Sequence, residues 1–530
     1  MLARHSRWIG WLLLASALAI GCGSPSSPTP AASTIPGTSP SASPPPSPAV
    51  LPGVAIDQTE PADLTLRFVQ RLPKIDYVFG SSRPDVEGWP TPGQAVSWRA
   101  HLKNWATFPL TGVDFTWRLD GRVVRSGTLD IRPLAEATLD YAWSWDRRRH
   151  ELELVVDANN RFAVPRGPFN RLLLYTDALS VGFYVEERVY RLFRENQHKL
   201  RIGSSSFDDW AQLQIRFYND LLAQGVYPET PSGVLDRLRL DNLTVVADGA
   251  LPLSRVDVPD DVDQRIFATY RPNGADRTVD LQFGFPAEAA EAYTNHSSRS
   301  TENQFYFSGF VQHEMGHARY LVDTHRMNVG HGLQGQRIDI VESGALVAGS
   351  RYMPGTVLNG SGGSGLRVHR ANYRGLMDNE WTFMDRWAAG AWNLIAGHRA
   401  TRGNYNSPEN HGVYIQDLPV ENRLTLRDAA GALLSGANVR VFQAGSSGRI
   451  FDNTPDLERV ADDRGQVLLG SNPFSADGRF SLDLGNGVVI LRVQHSGRVG
   501  YGFLELSDFN LAYWRGQTDL ADHELRVTLN

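Results

Sequence analysis

A chain of 530 residues whose only cysteine is Cys22 can close no disulfide within itself. Its folded parts must be held by buried apolar surface and hydrogen bonds, which excludes a small disulfide-stapled scaffold. The place of that cysteine is informative as well. Arg4 and Arg7 precede an apolar run from Trp8 to Ile20, and Gly21 leads directly into Cys22. A basic start, a short apolar stretch and small residues at its end are ordered as in a signal peptide, and the stretch is too short to span a bilayer comfortably. Residues 23–55 are mostly Ser, Pro, Thr, Ala and Gly and include no charged side chain. Such a composition buries no core and is expected to form a disordered stalk.

The string Ala19-Ile20-Gly21-Cys22 resembles a bacterial lipobox. That resemblance implies a lipoprotein signal peptide over 1–21, with Cys22 as the lipid-modified first residue of the mature chain and a stalk over 22–55. The expectation is an exported, cell-envelope lipoprotein that faces the periplasm or the cell exterior and touches the membrane through its N-terminal lipid anchor. Net charge is −6, and the short run Arg147-Arg148-Arg149 is isolated. Nucleic acid is therefore not an expected partner.

The roughly 475 residues beyond the stalk are enough for about three domains. In 56–165, Val113, Phe115, Trp117 and Leu119 alternate with polar residues up to the turn pair Asp120-Gly121, and Val123-Val124 resumes the pattern. Leu139, Tyr141, Trp143 and Trp145 alternate again, as do Leu152, Leu154 and Val156. Short alternating strands separated by turns predict a β-sandwich. The stretch Gln94–Phe162 resembles bacterial cell-adhesion-related Ig-like modules, which implies a spacer or binding platform.

Residues 166–418 change character. Helical periodicity is read over Val181–Phe193 and Asp208–Leu222, strand-like runs at Leu243–Ala247 and Val279–Phe283, and a later helix from about Asn379 to Ala396, with Asp378 or Asn379 as its N-cap. Helices with a small sheet suit an α+β domain. Residues 419–530 return to strands, and their pattern resembles the Ig-like or carboxypeptidase-regulatory-like sandwiches that trail secreted enzymes.

The chemistry concentrates in His313-Glu314-Met315-Gly316-His317. On a helix, His313 and His317 lie one turn apart on the same face, where two neutral imidazoles can share one Zn²⁺, while Glu314 is placed as a general base on water. Phe307, Phe310 and Val311 precede the motif at helical spacing, as a buried support requires. A third ligand must come from beyond it. Asp323 and His325 follow closely, but on a continuing helix they would lie roughly 80° and 120° off the face of His313. The helix must stop and the chain turn back for either to bind. Glu342 and Glu380 are further carboxylates, the first read as a strand or loop residue and the second as part of an ordinary helix start.

HEMGHARYLVD resembles the metzincin zinc signature in the form with Asp as third ligand, and Gly375-Leu376-Met377-Asp378-Asn379 resembles the methionine turn of that family. The stretch from about 168 to 418 is similar to the catalytic part of secreted bacterial metalloprotease-like proteins. The resemblance implies metal ligands His313, His317 and Asp323, with Met377 beneath the metal and Tyr373 or Tyr352 assisting the oxyanion. The chain departs from the family at Tyr320, where metzincins carry glycine. The fold expected is multidomain: an α+β, metzincin-like zincin domain over 166–418, flanked by all-β Ig-like sandwiches over 56–165 and 419–530. The function expected is a zinc metallopeptidase acting on protein or peptide substrates. The alternative is a non-catalytic binding or adhesion lipoprotein with a degenerate metalloprotease-like centre.

Overall fold

A computed structural model describes residues 63–74, 89–162, 170–195, 206–251, 416–443, 454–474 and 487–530. Between 264 and 397 it describes 264–270, 279–284, 294–297, 312–313, 315–316, 319, 321, 341–342, 345–346, 356–357, 369–370, 375–377 and 383–397. The signal-peptide, stalk and Cys22 readings lie outside these residues. Among the described residues the protein is mostly β-sheet with few helices, and no helix is long and apolar enough to cross a membrane.

The first region holds strands β1 (Leu64–Leu72), β2 (Ala95–Asn104), β3 (Leu110–Leu119), β4 (Arg122–Ile131), β5 (Glu136–Ser144), β6 (Glu151–Val156) and β7 (Arg171–Tyr175). They form two sheets, in the orders β1-β2-β5 and β4-β3-β6-β7. The alternation in the sequence becomes the shared core: Val96, Trp98, Ala100 and Leu102 from β2 meet Val113, Phe115 and Trp117 from β3 and Leu152, Leu154 and Val156 from β6. Asp120 and Gly121 both have positive φ, 49° and 76°, which is the two-residue turn whose twist suits a right-twisted hairpin. Strand β7 lies beyond the boundary drawn at 165, yet it pairs with β6 and puts Leu172 and Leu174 into the same core.

Strand β1 is buried on both faces. Leu64, Leu66 and Val69 belong to the sandwich core, while Phe68 joins the core of the rest of the chain. Arg67 pairs at 2.8 Å with Asp208, whose carboxylate is fully buried. The backbone N–H of Arg71 donates to Asp241 at 3.2 Å. A module resembling a spacer is thus joined to its neighbour by a shared strand and buried charge.

The central region contributes β8 (Leu179–Glu186), helices α1 (Glu187–Glu195) and α2 (Phe207–Gln224), then β9 (Leu238–Val246), β10 (Gln264–Tyr270), β11 (Val279–Gly284) and β12 (Thr294–Ser297). The sheet runs β12-β11-β10-β8-β9, with β8 parallel to both β9 and β10 and the β10-β11-β12 pairings antiparallel. Two short ladders follow, β13 (Val341–Glu342) with β14 (Ala345–Leu346) and β15 (Thr356–Val357) with β16 (His369–Arg370). Helix α2 agrees with the helix read over 208–222; Ser206 caps it by accepting the Asp209 N–H at 3.2 Å.

Two helix readings change. Over 181–193 the chain is strand up to Glu186 and helix only from Glu187. A strand buried on both faces loses its alternation, so Val181-Gly-Phe-Tyr-Val reads as readily in one period as the other. The helix expected from about 379 is α3 (Arg386–Asn393), capped by Asp385 instead of Asp378 or Asn379, and residues 383–385 before it are not helical.

The last region has β17 (Glu421–Asp428), β18 (Asn438–Phe442), β19 (Leu457–Val460), β20 (Gln466–Leu468), β21 (Val488–His495), β22 (Arg498–Glu505) and β23 (Leu520–Val527), with helix α4 (Leu506–Trp514) between the last two strands. Its sheets are β20-β17-β23 and β19-β18-β21-β22. Their inner faces, from Leu424 to Val527, belong to the same buried cluster as the central region. The helix α4, absent from the strand pattern, makes that connection: Trp387 of α3 donates its indole N–H to Asn510 at 3.2 Å.

Candidate metal centre

His313 is helical and 3% exposed. Its Nδ1 lies 2.7 Å from the backbone carbonyl of Leu376. A carbonyl only accepts, so Nδ1 is the protonated donor in this bond and Nε2 is the remaining ring nitrogen. Metal-binding imidazoles are oriented in this way by an outer hydrogen bond. The donor chemistry at His313 therefore fits a metal such as Zn²⁺.

Met377, the candidate methionine-turn residue, is fully buried beside the same helix. A Cβ placed on Gly316 would stand 2.5 Å from the Met377 Sδ and 3.5 Å from the Leu376 side chain. Only a residue without a side chain allows this approach. The structure thus brings together His313, Gly316, Leu376 and Met377, two residues from each motif, although some sixty positions separate them in the chain.

The helix ends soon after the motif. Gly316 O accepts from Arg319 N at 2.9 Å and from Leu321 N at 3.2 Å. The second bond spans five residues, one more than an α-helical bond, and Leu321 is no longer helical. Behind this turn Arg319 is buried in an ion pair with Asp236, 2.8 Å apart. The other contacts of that Asp236 carboxylate are the Trp392 indole N–H at 2.9 Å and the Gly397 N–H at 2.7 Å. Burial in this packing raises the Tyr218 hydroxyl well above the usual tyrosine range.

Leu376 is held from its other side too. Its N–H donates to Asp385 Oδ2 at 3.2 Å, while Asp385 Oδ1 caps α3 by accepting from Ala388 N at 2.9 Å. Nearby, Tyr227 donates its hydroxyl to the Met384 carbonyl at 2.7 Å, and burial, aided by the Asp385 charge, pushes that hydroxyl up to about 12.

Of the residues the sequence singled out, His313 and Met377 meet in this way. Glu314, His317, Tyr320, Asp323, His325, Tyr352, Tyr373 and Glu380 lie outside the described residues. Glu342 lies in the two-residue strand β13. Among the described residues no three His, Cys, Asp or Glu side chains are grouped to hold a metal. The supporting roles of Asp385, Arg319 and Asp236 were missed. Asp385 and Arg319 lie inside strings already noted, but what they bind is distant in sequence. The Leu376 carbonyl has no signature in a sequence at all.

No known family and no curated protein matches the chain. Among solved structures, the CARDB domain of a Pyrococcus furiosus protein is similar over 22% of this chain and 94% of its own length, at 17% identity and a TM-score of 0.17. The same domain has also been solved with two metal ions. A domain described as part of a cell surface protein of Methanosarcina acetivorans is similar over 22% of this chain and 90% of its own, at 18% identity and a TM-score of 0.16.

Proposed function

We propose that this chain is a surface-anchored, zinc-dependent metalloendopeptidase, with His313, His317 and Asp323 as metal ligands and Glu314 as general base. The observation that carries the reading is the His313 imidazole, fixed by the Leu376 carbonyl with Met377 packed under Gly316. A ligand histidine needs its second nitrogen engaged and its ring held still.

Zn²⁺, when bound, polarises the scissile carbonyl and makes water a better nucleophile at neutral pH. The protein's own groups do the rest. Glu314 follows His313 by one residue, which turns it about 100° around a helix, towards the attacking water instead of the metal. It takes the proton of that water and passes it to the leaving amine. Asp323 can reach the ligand position only if the helix stops, and the Gly316–Leu321 bond ends it in time. Cys22 supplies the anchor in this reading, and the substrate is a protein or peptide.

A second reading, a non-catalytic surface binding or adhesion protein, is favoured by one feature. Position 320 carries Tyr where the metzincin pattern has glycine. Hydrolysis of casein or a broad peptide library separates the two. The peptidase should lose activity with 1,10-phenanthroline, and Glu314→Gln should keep its zinc while turnover falls roughly 10²–10⁴-fold. Zinc-loaded protein that cleaves nothing supports the binding reading.

A further inference from the structure

We infer that Asp385 is a positioning residue for the metal centre, coupling helix α3, and through it α4 of the last region, to the carbonyl that orients His313. The inference rests on the zinc reading above and extends it to residues remote from the metal. The two oxygens of Asp385 divide their work. Oδ1 holds the first turn of α3 through Ala388 N, and Oδ2 holds the backbone of Leu376. Leu376 turns its own carbonyl onto His313 Nδ1. Asp385 is buried, 3% exposed as a residue, so water competes little for these bonds. Its approach depends on Gly375, where a Cβ would stand 2.8 Å from Oδ2.

Helix α3 is itself clamped from the far side. Trp387 binds Asn510 of α4 and lies 6.4 Å from the Trp514 ring. Arg386 makes a two-pronged pair with Glu229 at 2.7 and 2.9 Å, and Arg515, just past α4, reaches the same carboxylate. Asn510 donates in turn to the Asp417 carbonyl at 2.9 Å. A continuous series of buried contacts thus runs from α4 through α3 and Asp385 to Leu376 and His313. The last region serves the site as a brace.

The test uses the full chain. Asp385→Ser keeps an N-cap oxygen but is too short to hold Leu376 as well, and Asp385→Asn offers one acceptor oxygen where two are needed. Zinc affinity, measured by competition with a chromophoric chelator, should fall about 10–100-fold in either variant. A readout independent of zinc is the ¹⁵N imidazole spectrum of metal-free protein, with His313 assigned by its loss in His313→Gln. Wild type should show a single Nδ1–H tautomer, and the Asp385 variants a mixture. Asn510→Ala, far from the metal, should weaken zinc in the same direction by a few-fold. A folded Asp385→Ser, or Asp385→Asn should the first not fold, with unchanged zinc affinity and one tautomer overturns the inference. Wild type that binds no zinc defeats the peptidase reading instead, while the tautomer comparison still decides the role of Asp385.

Discussion

The contact between Gly316 and Met377 can be tested by adding one methyl group. In Gly316→Ala the new Cβ would stand 2.5 Å from the Met377 Sδ, more than 1 Å inside ordinary contact. Met377 is fully buried with Met315 and Leu376 in the same core, so it has little room to move. Overpacking of this kind costs about 1–3 kcal/mol, and Gly→Ala in a helix returns about 1 kcal/mol. The net expectation is a destabilisation of about 0–2 kcal/mol, against a gain of about 1 kcal/mol where no contact exists. Met377→Ala alone should cost about 2–5 kcal/mol, because it opens a cavity. In the double variant the methyl group added at position 316 occupies part of that cavity and the helix gain is recovered. The double should therefore be more stable than the sum of the singles predicts, with a coupling of about 1–3 kcal/mol. Urea unfolding by tryptophan fluorescence measures this, since Trp387 and Trp392 share the core, provided a second probe gives the same transition. A stabilised Gly316→Ala, with the double additive to within about 0.5 kcal/mol, would show that the methionine does not lie against the motif helix.

Three further outcomes are expected. Burial, joined at His101 by the Arg67 charge, lowers both His101 and His523 to about 4 in the folded protein, while in the unfolded chain each titrates near 6.5. Between those values the unfolded state takes up protons that the folded state does not. Each histidine should then cost stability at about 1.4 kcal/mol per pH unit as pH falls from about 6.5 towards 4. His101→Phe, which keeps the stack on Phe68, should reduce that slope by one proton, and urea midpoints with an unchanged slope would refute the assignment. Asp323→Ala should weaken zinc retention by well over tenfold and His325→Ala should cost little; the reverse order in dialysis against a chelator would move the third ligand to His325. Cys22→Ser should release the protein from the membrane fraction or leave its precursor uncleaved, and a variant that is processed and sediments like wild type would place the anchor elsewhere.

The parts that could be read in the sequence are those where one face of an element meets water. Trp117, Leu154 and their neighbours alternate because β3 and β6 cover the core on one side only, and α2 shows its period for the same reason. Strand β8 is buried on both sides, so its period vanishes and six of its eight residues fall inside the span that reads as helix. The centre behaves likewise. His313 and Met377 announce themselves through spacing, whereas the group that orients His313 is a main-chain carbonyl, which any residue at 376 supplies. Asp385 passed as an ordinary helix residue because N-caps are recognised locally, and its second bond reaches back nine positions to a turn. The first region reads as a module in its own right until Arg67 is seen paired with Asp208, 141 residues away.

Strand β17 pairs parallel with β23 along its whole length, from Glu421–Leu520 to Asp428–Val527, so partners such as Arg423 and Asp522 are 99 residues apart. An order of assembly follows from that arrangement. As the chain is extended from its N-terminus, β17 waits through β18, β19, β20, β21, β22 and α4 before its parallel neighbour is delivered. Closing so long a loop is slow compared with forming the local hairpin β21–β22. Helix α4 lies just upstream of that final strand and packs on it as well as on β22 and α3. The surroundings of His313, about two hundred residues earlier in the chain, then gain their brace only after α4 has been made. A nascent or unfinished chain would carry the motif without yet presenting a settled imidazole.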